Sequence, residues 1–164
     1  MLQRAMPTPR HSVPTIRELL SYRLHQVANL LSRGAEMRYR REFGVSLWEW
    51  RTVALLGGEG EPQSLNELAR AAGMDKGQMS RVVSGLNRKK IVFRETDARD
   101  GRGIRLSLTQ PGKKLYQKLI AAAAVRNSAF LGCLSAKERG CLEQAMTKLA
   151  LEAKSLIQKE KRTR

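Results

Sequence analysis

The side chains best suited to recognising another molecule crowd between positions 76 and 102: Lys76, Gln78, Ser80, Arg81, Ser84 and Arg88, then Arg99 and Arg102. Met79, Val82, Val83 and Leu86 recur at i, i+3, i+4 and i+7, so a helix through this stretch buries them on one face. At about 100° per residue, Gly77, Arg81, Ser84 and Arg88 fall on the opposite face, with Gln78 and Ser80 on its flanks. That face carries no bulky apolar residue, and its glycine permits close approach. Arginine pairs with guanine edges, glutamine with adenine and serine with either, the chemistry of a helix lying in a DNA major groove. An amphipathic helix with a merely solvated polar face has the same pattern and is the commoner structure. What flanks the helix decides between them.

Downstream, Ile91 and Phe93 alternate with Val92 and Arg94, and Ile104, Leu106 and Leu108 alternate with Arg105 and Ser107, the period of half-buried strands. The glycine-rich loop between them carries Arg99, Asp100 and Arg102. Arginine at a hairpin tip suits the narrow, strongly negative minor groove. Asp97 and Asp100 are read as loop braces, because a carboxylate beside phosphate is repelled. Upstream, Ser64 and Glu67 have the spacing of a capping box that opens a short helix, Gly73 supplies a turn, and Asp75 caps the next helix with Gln78 at the reciprocal position. The order is helix, turn, helix, wing. It assigns Gln78 and Arg81 to base readout, Arg99 and Arg102 to the minor groove, and Lys76, Ser80, Ser84 and Arg88 to phosphate or edge contacts.

This arrangement, closing with DARDGRGIRLSLTQPGKKL, resembles the MarR family of bacterial transcription regulators. That family's signature is a D-x-R-D-x-R wing followed by L-T-x-x-G opening a long helix. The chain matches it at Asp97, Arg99, Asp100, Arg102, Leu108, Thr109 and Gly112. The segment QMSRVVSGLNRKKIVFR also follows the family's run, departing at Lys90, where a glycine often precedes the first wing strand. The resemblance extends from about Ser21 to the C-terminus. It implies a winged helix-turn-helix protein whose N- and C-terminal helices interlock in a two-fold dimer. It also implies an effector, often an aromatic acid, held between the dimerisation helices and the winged lobe. Tyr22, His25, Tyr39, Trp48 and Arg51 are the candidates here, aromatics to sandwich a ring and Arg or His to meet a carboxylate. For each taken singly, a core or surface role is the commoner one. The stretch RGAEMRYRREFGVSLWEWR is further similar to regulators of nicotinate-type aromatic catabolism in proteobacteria, which implies a hydroxynicotinate-like inducer.

The remaining chain must position these groups. Ile16, Leu20, Leu24, Val27 and Leu31 form an apolar stripe on a long helix expected from Thr15 to Phe43, ending at Gly44. Ser46 and Glu49 open a helix expected to close at Gly57 and Gly58, with Trp50, Val53, Ala54 and Leu56 in the core. Thr109 caps a helix with Pro111 in its first turn, running to about Phe130. Ser135 and Glu138 open a last helix, with Leu142, Met146, Leu149, Ala153 and Leu156 on one stripe. One small winged lobe cannot cover all these stripes. A second copy can, giving an isologous dimer suited to a pseudo-palindromic operator with half-sites about one helical turn apart.

The expected class is therefore mostly α with a small two-stranded β-wing. Residues 1–14 read as a disordered basic arm, 15–45 and 109–164 as dimerisation helices, and 46–108 as the winged helix-turn-helix lobe. A formal net charge of +16 points to a polyanionic partner, double-stranded DNA ahead of a membrane surface. The N-terminal arm lacks the apolar core of a secretory signal, and no run reaches membrane-spanning length, so a cytoplasmic protein is expected. Cys133 and Cys141 lack metal-ligand spacing and lie far from His11 and His25, which argues against a metal or cofactor and for buried, inert thiols. No catalytic motif stands out, and the chain is read as a non-enzyme. The leading function is a dimeric, sequence-specific repressor released by a small aromatic acid. The alternative is a constitutive architectural or nucleoid-type DNA-binding protein, bound through counterion release with little sequence discrimination.

Overall fold

A computed structural model describes residues 13–96 and 104–163. A 3-10 turn at Ile16–Glu18 leads to α1 (Leu20–Phe43), α2 (Leu47–Glu59), β1 (Gln63–Ser64), α3 (Leu65–Ala72), α4 (Lys76–Arg88), β2 (Val92–Thr96), β3 (Ile104–Leu108), α5 (Gln110–Gly132) and α6 (Ala136–Arg162). The mostly helical class with a small β-wing is the architecture observed. The chain divides into two compact units after Gly112, the first holding α1 together with the winged elements.

Local chemistry sets most boundaries in the first unit. Ser46 accepts from the Glu49 N–H while the Glu49 carboxylate accepts from the Ser46 N–H, and Ser64 and Glu67 repeat the exchange at α3. Gly44 and Gly73 end α1 and α3 in the left-handed conformation, with φ of 67° and 65°. The expected helix from Thr15 is interrupted, because Glu18 returns to the Thr15 N–H and hydroxyl and closes a separate turn, leaving Leu19 extended. The second helix runs past Gly57 and Gly58 to Glu59, with Gly60 as its left-handed cap.

The wing gains a strand that its two-stranded expectation lacked. β1 pairs antiparallel with β3 (Gln63 opposite Leu106, Ser64 opposite Arg105), and β2 pairs with the other edge of β3 (Val92 opposite Leu108, Arg94 opposite Leu106). Two residues suffice because Ser64 is at once strand and helix cap. Of the wing's apolar residues, Val92, Leu106 and Leu108 are buried while Phe93 is exposed, so the first strand faces the core through Val92.

The core of this unit comprises Tyr39, Val45, Val53, Leu56, Leu68, Met79, Val83, Leu86, Val92 and Leu106. Each fully buried aliphatic side chain contributes roughly 1.5–3 kcal/mol relative to exposure. Among the described residues Thr52 is the one polar residue buried with them, and its hydroxyl donates to the Trp48 carbonyl at 2.9 Å. In the second unit α6 opens on the Ser135–Glu138 capping box, as its sequence requires. Leu142, Met146, Leu149 and Leu156 stand exposed along it in the single chain, as do Leu20, Leu24, Val27 and Leu31 on α1. Cys133 and Cys141 are both exposed rather than buried. Among the described residues no single helix is long and apolar enough to cross a membrane.

Candidate nucleic-acid interface

Helix α4 presents the expected polar face. Met79, Val83 and Leu86 anchor it in the core, while Lys76, Gln78, Arg81 and Arg88 are exposed and Ser80 and Ser84 half-buried. Asp75 accepts from the Gln78 N–H at 2.8 Å. The reciprocal bond expected of the Gln78 side chain does not form, so its amide stays at the exposed surface of the first turn. Arg99, Arg102, Asp97 and Asp100 lie outside the described residues.

Both ends of α4 are fastened. At its C-terminal end the Lys89 ammonium donates to Glu49 Oε1 at 2.7 Å and to the Gly44 carbonyl at 3.3 Å, tying the helix to the corner between α1 and α2. Burial raises the Glu49 carboxyl, but Lys89 and the Ser46 N–H outweigh it and hold the group below its ordinary value. Next along the chain, Lys90 has a left-handed φ of 57°. The family's glycine at this position is explained by that angle. Thr109 then clamps the turn from the far side of the wing: its hydroxyl donates to the Lys90 carbonyl at 2.7 Å, its N–H to the Ile91 carbonyl at 3.0 Å, and it accepts from the Gly112 N–H at 3.1 Å.

Two contacts here escaped the sequence. Arg94 of β2 donates from Nη2 to Ser84 Oγ at 3.1 Å, bringing a further cation to the α4 face. Arg105 of β3 pairs with Glu67 of α3 at 3.2 Å. Pairing across a strand register and a helix face is not visible as a short-range spacing. The cations in the last turns of α1 are engaged locally, Arg38 with Glu42 and Arg40 with Glu36.

The candidate ligand residues do not converge. An open cleft of about 550 Å³ lies between α1 and α2, lined by Asn29, Arg33, Glu36, Arg40, Ser46 and Trp48 among others. Trp48 is its aromatic wall, and the Arg51 guanidinium stacks 4.8 Å from that ring's centre. Arg51 itself lines a different hollow beside Trp50 and Ala72, and it donates to Ser32 Oγ at 3.3 Å. Tyr39 is 1 % exposed and packs against Trp50 with ring centres 5.1 Å apart, a core position. His25 is exposed and hydrogen-bonded to Asn29 at 2.9 Å, and Tyr22 is half-buried on the preceding turn of α1. Glu36 was missed by sequence reasoning. Its carboxylate accepts from Arg40 and from the Leu47 N–H, crossing the cleft floor from α1 to the start of α2. The Arg40 hydrogen bond, aided by Leu47, lowers its pKa against the raising effect of burial. Among the described residues no cluster of His, Cys, Asp or Glu could hold a metal ion.

Helix α3, the Gly73 turn, α4 and the β2–β3 pair together define a winged helix-turn-helix protein. Residues 43–103 match the model of the MarR family. The chain is 26% identical over 121 residues to the uncharacterized HTH-type transcriptional regulator YkoM of Bacillus subtilis (strain 168), covering 74% of this chain and 78% of that protein. A MarR/EmrR family transcriptional regulator from Acinetobacter sp. ADP1 superposes with a TM-score of 0.76 at 25% identity, over 82% of this chain and 94% of that one. The fold is shared with Staphylococcus aureus MepR in its DNA complex, with a TM-score of 0.76 at 21% identity over 82% of this chain and 98% of that one. Residues 43–103 thus match the MarR-family helix-turn-helix region, and the proteins this chain is similar to are transcriptional regulators of that kind. The relatives are regulators, not enzymes.

Proposed function

We propose that this regulator acts as a dimeric, sequence-specific repressor whose hold on DNA is released by a small aromatic acid. The observation that carries the DNA part is the outer face of α4. Lys76, Gln78, Arg81 and Arg88 stand in solvent over a helix fixed by buried Met79, Val83 and Leu86. Gln78 and Arg81, on its first two turns, read base edges, and Lys76, Ser80, Ser84 and Arg88 make phosphate or edge contacts. Arg99 and Arg102 take the minor groove, with Asp97 and Asp100 as braces of the loop. The exposed stripes of α1 and α6 favour a dimer, since patches of that extent on a single chain mark an interface. The scheme of 15–45 and 109–164 for dimerisation and 46–108 for DNA is kept on that ground.

The α1–α2 cleft supports the effector. It sets the Trp48 ring beside Arg33 and Arg40, a flat apolar wall with guanidinium groups suited to a carboxylate. Of the five candidates named from the sequence, Trp48 is the one that lines this cleft. Tyr22, His25 and Arg51 remain neighbours on α1 and α2, and Tyr39 supports Trp50 from within the core.

Selection of genomic fragments by the purified protein, followed by footprinting at two salt concentrations, tests the proposal. A discrete pseudo-palindromic footprint that survives competitor DNA, and that fades when hydroxynicotinate is added, is the expected result. Coverage that spreads along every fragment and collapses uniformly with salt would overturn sequence-specific repression. A footprint indifferent to aromatic acids would leave the repressor and remove the effector.

A further inference from the structure

We propose that Arg94, on the first wing strand, is a phosphate-contacting residue of the DNA interface, and that Ser84 serves to position it. The inference rests on the DNA-binding reading above and adds a residue to it. Alternation along β2 places Arg94 on the face of the wing shared with Val92, and opposite Leu106 on β3, while Phe93 and Glu95 occupy the other face. The Val92 face is the buried one. Arg94 is thereby directed at α4, and its Nη2 reaches Ser84 Oγ at 3.1 Å while the side chain as a whole stays exposed. That bond uses one of the five N–H donors of the guanidinium, leaving the others for an anion.

The surroundings are rich in cations. Arg81 and Arg88 stand at i−3 and i+4 from Ser84, its neighbours on the same helix face. Among the described residues no carboxylate forms an ion pair with Arg81, Arg88 or Arg94, whereas Arg105, on the opposite face of the wing, is held by Glu67. Arg94, bonded to Ser84, and the arginines three and four positions from Ser84 on its helix face repel one another unless an anion joins them. The position selects the anion. Base readout belongs to the N-terminal turns of a recognition helix, and Ser84 lies on the third turn, where the helix passes from the groove toward the backbone. A cation supplied there from the wing meets phosphate, not a base edge. Ser84 then acts through Arg94 in addition to the phosphate or edge contact assigned to it above.

The test is fluorescence anisotropy of the full-length protein on two unrelated labelled duplexes, each about 30 base pairs and long enough for two half-sites, across a salt series. The expected result for Arg94→Gln is a slope of log K against log salt that is shallower by about 0.9 per protomer bound, equally on both duplexes. Arg94→Lys should keep the wild-type slope. Ser84→Ala should weaken binding several-fold at fixed salt, and Ser84→Thr should restore it, which loss of mere packing would not predict. An unchanged slope in Arg94→Gln, or a loss confined to one duplex, would overturn the proposal while leaving DNA binding intact. Failure of the wild-type protein to bind either duplex would instead overturn the DNA reading itself. Should Arg94→Gln melt early, phenylglyoxal modification of the wild-type protein read by mass spectrometry decides: DNA protects Arg94 if the proposal holds, and leaves it equally reactive if it does not.

Discussion

Gly112 sits so close to Ile91 that a Cβ added to it would lie 2.1 Å from the Ile91 carbonyl oxygen. That oxygen already accepts from the Thr109 N–H and lies within reach of its hydroxyl, so the backbone after α4 cannot retreat without breaking the clamp. In most helices Gly→Ala stabilises by about 0.5–1 kcal/mol. Here the sign reverses. Gly112→Ala should destabilise by roughly 1–3 kcal/mol, the ordinary cost of overpacking, whereas Gly140→Ala, at an α6 position with open space around it, should be neutral or stabilising. Urea denaturation of the two variants side by side checks both signs.

Lys90 pays a conformational cost for its φ of 57°, about 1–2 kcal/mol for a residue with a Cβ. Lys90→Gly removes that strain and gives back part of it through the flexibility of the unfolded chain. A net gain of roughly 0.5–1 kcal/mol is expected. A midpoint of urea unfolding that stays put or falls would show that the Lys90 backbone is not strained as its angle implies.

Acid should loosen the corner where α1, α2 and α4 meet. Glu36 and Glu49 both have carboxyls held below their ordinary value of 4.5 in the folded chain. Their stabilisation is therefore fully present above the unfolded value and is lost as pH falls through the lowered folded one. Melting temperature should be flat near neutrality and drop below about pH 4.5. Glu49→Gln, which cannot titrate, should be less stable at pH 7 and show a shallower acid limb. An identical limb in the variant would remove Glu49 from the account.

Base readout and phosphate contact should separate under mutation. Arg81→Ala and Gln78→Ala are expected to narrow the gap between specific and competitor DNA, by about 1–3 kcal/mol for each bidentate pair lost. Lys76→Ala should weaken both duplexes alike and lower the salt slope by about 0.9 per protomer. Competition binding with the footprinted site measures the first effect and a salt titration the second.

The parts of this fold that were legible in sequence are those fixed within three or four residues. The Ser46–Glu49, Ser64–Glu67 and Ser135–Glu138 exchanges, the caps at Gly44 and Gly73, and the buried stripe of α4 all follow from local spacing. What was not legible depends on how elements dock. Lys89 reaches Glu49 across forty positions, Arg94 finds Ser84 only once β2 lies against α4, and β1 becomes a strand only because β3 passes beside it. Tyr39 shows the same limit from the other side. An aromatic residue on a helix near a cleft has the composition of a ligand wall, and only packing against Phe43 and Trp50 makes it a core residue.

The fastening of α4 at Asp75 and Lys89 separates two jobs that a single helix often mixes. The residues that seat the helix are its end caps and its buried stripe, and the side chains proposed to meet DNA are none of these. Gln78 and Arg81 can therefore be exchanged without unseating the helix, much as a key is recut without altering its bow. A lineage built on this frame has an inexpensive route to new operators, and an engineer has the same one.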